Sequence, residues 1–112
     1  MDIQIDYFTN LVGNRLVANY GPEVLEYLDR EMKGKQHPTY QCIGDVAAVL
    51  QIVEFTSKCI KLLFKSDNIS TTDEIFIEMI NKNIDDDNLN DKVKVRGIEN
   101  ILSVRRQLKY NV

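Results

Sequence analysis

The sequence predicts an all-α fold, one domain spanning residues 1–112 and built as a bundle of about five helices around a buried central helix. Three observations carry this reading. Apolar residues recur at three- and four-residue spacing along most of the chain, which places them on single faces of helices. A proline-free stretch from Thr39 to Phe64 is apolar around most of its circumference. Gly-Pro, a lone Gly and an Asp-rich run interrupt the periodic segments where helices must stop.

The central stretch, read as a helix over about 40–65, organises the others. Winding it at about 100° per residue puts Gln51, Glu54, Lys58 and Lys61 on one narrow stripe. Cys42, Val46, Val49, Ile52, Val53, Phe55, Cys59, Ile60, Leu62, Leu63 and Phe64 cover most of the rest. A helix apolar over so much of its surface has to be enclosed by other elements. The lipid bilayer is not the expected enclosure. Asp45, Glu54, Lys58 and Lys61 would each cost about 2.5–3.5 kcal/mol at a bilayer centre.

A first helix is expected over about 3–19, with Ile5, Phe8, Leu11, Val12, Leu16 and Val17 at helical spacing and Gly21-Pro22 as its stop. Gly13 costs it about 1 kcal/mol relative to alanine, which suggests that another backbone passes close. The second helix, about 22–33, starts at Pro22 with Glu23 at the positive end of its dipole. Val24, Leu25, Leu28 and Met32 form its inner face, and Gly34 is the expected left-handed stop. Thr39 is placed to cap the central helix.

A fourth helix, about 72–84, opens on Thr71-Thr72-Asp73-Glu74, where hydroxyl and carboxylate stand at capping-box spacing. It buries Phe76, Met79 and Ile80, with Ile75 and Ile84 at its margins and Glu74, Glu78 and Lys82 on the wet side. Asp91 is placed to cap the last helix, about 91–109. The expected buried stripe there is Val95, Ile98, Ile101, Leu102, the stem of Arg105, and Leu108.

The composition excludes several functions. With 44% hydrophobic and 28% charged residues the chain reads as an ordinary globular domain, long enough for a core without staples. The acidic start, Met1-Asp2-Ile3-Gln4-Ile5-Asp6, does not read as a signal peptide, so a cytoplasmic protein is expected. Cys42 and Cys59 would lie about 25 Å apart on one helix, beyond the ~7 Å a disulfide spans, and both read as core residues of a reducing compartment. His37, the single histidine, has no nearby partner and is expected on a solvent-facing loop.

The Asp85–Asp91 turn does not fit a calcium loop begun at Asp86, because Asp91 and Gly97 stand where glycine and glutamate are required. No zinc tetrad, di-iron Glu-x-x-His pair, glycine-rich phosphate loop or serine elbow is present. The expectation is therefore a protein without catalysis, metal or cofactor.

What stands out is the distribution of charge. Residues 66–91 hold eight acids against Lys82 alone, whereas 92–112 hold six bases against Glu99 alone. One reading is two neighbouring helices attracting each other. The leading functional reading is a docking face of Asp73, Glu74, Glu78, Asp85, Asp86 and Asp87 for a basic protein partner, as in an inhibitor, immunity-type or regulatory binding protein. The alternatives are nucleic-acid binding through Arg105, Arg106 and Lys109, or a self-associating structural subunit. Asp45 falls within the apolar arc of the central helix. It is either held by the wet, dipole-favoured first turns or is a buried charge that caps a neighbouring helix or receives a partner's basic group.

Overall fold

A computed structural model of the chain describes residues 4–35, 45–65, 71–84 and 89–110, with the backbone alone for 45–47, 109 and 110. The described residues form five helices and no strand: α1 (Ile5–Tyr20), α2 (Val24–Met32), α3 (Asp45–Phe64), α4 (Asp73–Asn83) and α5 (Asp91–Tyr110). α3 packs against each of the other four, and α1 lies in addition against α2 and α5. His37, Cys42 and the Thr39 cap lie outside the described residues, as does the stretch 40–44 expected to begin the central helix.

The polar stripe of α3 is where the periodicity puts it. Gln51, Glu54, Lys58 and Lys61 are exposed, while Ile52, Val53, Phe55, Cys59, Ile60 and Leu63 are buried. Glu54 and Lys58 pair one turn apart along the stripe. The Lys61 ammonium donates to the Glu31 carbonyl at 2.8 Å, tying α3 to the carbonyl-rich end of α2. The buried face joins Phe8, Val12 and Leu16 of α1, Val24 and Leu28 of α2, Phe76 and Ile80 of α4, and Ile101, Leu102 and Val104 of α5 in one core. Phe8 meets Phe64 edge-on, with ring centroids 5.3 Å apart.

Helix ends follow local chemistry: two caps lie one residue away from expectation, and α2 begins at Val24 behind Glu23 rather than at Pro22. Gly34 takes φ +69°, and the amides of Gly34 and Lys35 donate to the carbonyls of Glu31 and Arg30, the Schellman pattern that ends α2. Thr72, not Thr71, caps α4: its hydroxyl accepts from the Ile75 amide at 3.3 Å. Glu74 therefore falls one residue short of the reciprocal position. α5 is capped by Asn90 rather than Asp91, the Asn90 side-chain oxygen accepting from the Lys92 amide at 2.8 Å.

The edges of the buried faces also differ from the periodic reading. Leu25, Ile75 and Val95 are 42%, 47% and 52% exposed. Ile77 packs against the core from α4, and on α5 Val104 and Gly97 take buried places. A Cβ on Gly97 would meet the Phe55 ring at 3.2 and 3.3 Å, so this glycine sets how closely α5 approaches α3. Gly13 faces a side chain, not a backbone: its Cβ would meet Leu25 Cδ2 at 2.8 Å and Leu28 Cδ2 at 3.4 Å.

Three substitutions test this packing by chemical denaturation. Gly97→Ala is expected to destabilise by about 1 kcal/mol or more, because the buried Phe55 ring cannot yield. Gly13→Ala is expected to be neutral or to stabilise by up to about 1 kcal/mol, because the half-exposed Leu25 can turn away while the helix gains propensity. Thr56 is fully buried with a hydroxyl that has no hydrogen-bond partner among the described residues. Thr56→Val should therefore stabilise by about 1 kcal/mol, and a loss of stability would show that the hydroxyl is satisfied.

Candidate functional site

One acid of the expected docking face, Asp73, and two bases of the nucleic-acid alternative, Arg105 and Arg106, meet at the start of α4 against the later turns of α5. The Thr72 cap sets Asp73 and Glu74 in the first turn of α4, where the helix dipole favours anions. Asp73 is half-buried and turned toward α5. Its Oδ1 accepts from Arg105 Nη1 at 3.1 Å, and its Oδ2 accepts from Arg106 Nε at 3.2 Å. Arg105 Nη2 also donates to the Thr71 carbonyl, and the guanidinium lies 5.3 Å from the centre of the Phe76 ring.

The two arginines differ in setting. The Arg105 side chain is 9% exposed, whereas that of Arg106 reaches into solvent. Burial lowers the pKa of Arg105 from its ordinary value; Asp73 acts to raise it, and the neighbouring Arg106 lowers it further. A guanidinium starts so far above neutrality that it stays charged. The result is a buried cation with a carboxylate, a carbonyl and an aromatic face around it, a clamp between α4 and α5.

Glu74 and Glu78 stand one turn apart on the outer side of α4. Both are exposed, and neither has an ion-pair partner among the described residues. Ile75 adds an exposed apolar surface to the same helix. Of the six acids expected to dock a partner, α4 thus keeps Glu74 and Glu78 together and directs Asp73 to the clamp. Asp85, Asp86 and Asp87 lie outside the described residues, as do the side chains of Asp45 and Lys109.

A second polar region was not foreseen in the sequence. Between α1 and α5 lies an open cleft of about 350 Å³ lined by Arg15, Asn19, Arg96, Glu99, Asn100 and Ser103. Arg15 Nε donates to Asn100 Oδ1 at 3.4 Å across a separation of 85 residues. No local pattern could have joined these residues.

Among the described residues no group of three or more His, Cys, Asp or Glu side chains could hold a metal ion. Among the same residues no helix is long and apolar enough to cross a membrane. Compared with known proteins, no family model and no curated protein matches the chain, and no solved structure matches its fold.

The clamp makes a stability prediction. Arg105→Ala removes a buried charge-assisted network and should cost about 1.5–3 kcal/mol, while Arg106→Ala, at an exposed pair, should cost under about 1 kcal/mol. Equal losses in urea unfolding would mean that burial of Arg105 contributes nothing beyond a surface ion pair.

Proposed function

We propose that this chain is a non-catalytic, cytoplasmic protein-binding domain that uses the outer face of α4 and the acidic residues that follow it in sequence to dock a basic partner protein, in the manner of an inhibitor, immunity-type or regulatory protein. One observation supports the reading above others. The basic helix α5 neutralises Asp73 but leaves Glu74 and Glu78 exposed and unpaired among the described residues. Asp85, Asp86 and Asp87 follow in sequence with only Lys82 to offset them. Intramolecular pairing therefore accounts for Asp73, and Glu74 and Glu78 are available to steer a basic surface. Exposed Ile75 offers apolar area to bury within that charged surround, the arrangement of an interface with an anchor and a polar rim.

The same clamp weighs against nucleic-acid binding through Arg105 and Arg106. A phosphate would have to displace Asp73 from both, and Arg105 is already desolvated.

The test is the double charge reversal Glu74→Lys with Glu78→Lys, made at exposed positions so that thermal unfolding stays near that of the parent chain. A basic protein captured from an extract of the source cells by the parent chain should associate roughly tenfold or more slowly with the variant at low salt, and the difference should shrink as salt is added. Association that is indifferent to both the reversal and the salt would overturn the reading.

A further inference from the structure

The cleft between α1 and α5 has donors with nothing in the described chain to receive them. Asn100 is 9% exposed, and its side chain makes one hydrogen bond, accepting from Arg15 Nε. Arginine has no acceptor, so the Asn100 oxygen must be the atom facing Arg15. The amide Nδ2 is left with two N–H groups and no acceptor among the described residues. Nδ2 is not sealed from solvent, unlike the Thr56 hydroxyl, so an acceptor entering the cleft can reach it. Arg15, Arg96 and Ser103 line the same cleft, and the terminal nitrogens of Arg15, the guanidinium of Arg96 and the Ser103 hydroxyl are without ion-pair or hydrogen-bond partners among the described residues.

The lining also says what would fit. Its six side chains are all polar, with no aromatic or aliphatic residue against which a nucleobase or acyl chain could pack. Two guanidinium groups stand against the single carboxylate of Glu99, which favours an anion of low charge. Guanidinium and amide N–H donors match the oxygens of a phosphoryl group. The volume lies at the lower end of the ~300–1,000 Å³ range of small-molecule sites and exceeds what bare phosphate fills. Glu99 can only accept hydrogen bonds while ionised, so it suits a hydroxyl of the ligand rather than its phosphate.

We propose that the α1–α5 cleft binds the phosphate monoester of a small hydroxylated molecule, with Arg15, Arg96 and Asn100 holding the phosphoryl oxygens and Glu99 receiving a hydroxyl of the alcohol portion. This site is separate from the acidic face of α4 and stands or falls independently of the function proposed for that face.

The test is a nuclear magnetic resonance titration of the full chain with inorganic phosphate, with ribose 5-phosphate, and with sodium chloride at matched ionic strength. Ribose 5-phosphate should move the Asn100 side-chain amide and the Arg15 and Arg96 Nε signals, saturably, and more tightly than inorganic phosphate does. Arg15→Gln and Arg96→Gln, both at exposed positions, should each weaken binding roughly tenfold, as expected for loss of a charge-assisted hydrogen bond. Glu99→Gln should tighten inorganic phosphate, by removing a like charge, while eroding the preference for the ester.

Shifts reproduced by chloride would overturn the site, as would shifts left unchanged by both arginine substitutions. Binding of inorganic phosphate alone, with no gain from the ester, would overturn the assignment of Glu99 and of the alcohol portion.

Discussion

A twenty-residue helix with one polar stripe cannot be left in water, and the fold is the consequence of enclosing it. Fully burying a large aliphatic or aromatic side chain is worth about 1.5–3 kcal/mol, and α3 contributes Ile52, Val53, Phe55, Ile60 and Leu63. No single amphipathic neighbour can cover an arc that wide. α1, α2, α4 and α5 each supply part of the cover, and among the described residues the face of α3 left to solvent is the one carrying Gln51, Glu54, Lys58 and Lys61. Closeness of approach is then limited by side-chain volume, and Gly97 is what lets α5 come within contact of the Phe55 ring.

Although α1 and α2 touch through Gly13, Leu25 and Leu28, the neighbours of α3 also meet one another through polar groups at their margins. α5 illustrates this. Its Gly97, Ile101 and Val104 are buried, Arg105 reaches α4, and Asn100 reaches α1. Arg105 and Asn100 are five residues apart, about 140° around the helix, so one helix holds two partners by two different sides. The clamp on the α4 side is costly to assemble, since a guanidinium has to be desolvated. It is sustained because Asp73, the Thr71 carbonyl and the Phe76 ring all receive it. A buried ion pair of this kind adds little net stability over an apolar substitute but strongly penalises any arrangement that breaks it, which fixes where α4 starts relative to α5.

The clamp also changes what the charge segregation means. Along the chain, an acidic segment is followed by a basic one, and their attraction could in principle consume both. Among the described residues only Asp73 is drawn in by two arginines, because it sits in the first turn of α4 on the side facing α5. Glu74 and Glu78 are carried to the outside by the helical turn, where solvent and partners have access. The function proposed for α4 rests on that residue of uncancelled charge, and the ligand proposed for the α1–α5 cleft rests on uncancelled donors.

The number of helices, their approximate limits and the polar stripe of α3 were legible in the sequence, because each depends on spacing within a single segment and on residues such as Gly34 whose backbone preference is local. Spacing defines the centre of a buried face but not its edges. Leu25, Ile75 and Val95 lie at such edges and stayed outside, while Val104 went in, according to where the neighbouring helix happened to lie. Helix caps slipped by one residue at Thr72 and Asn90 because adjacent Thr, Asn and Asp residues all have the chemistry to cap, and the packing of the following helix chooses among them. The pairing of Asp73 with Arg105 and Arg106, and the meeting of Arg15 with Asn100, belong to the tertiary structure alone. Those residues come from distant turns, and only the common need to cover α3 brings them within hydrogen-bonding reach.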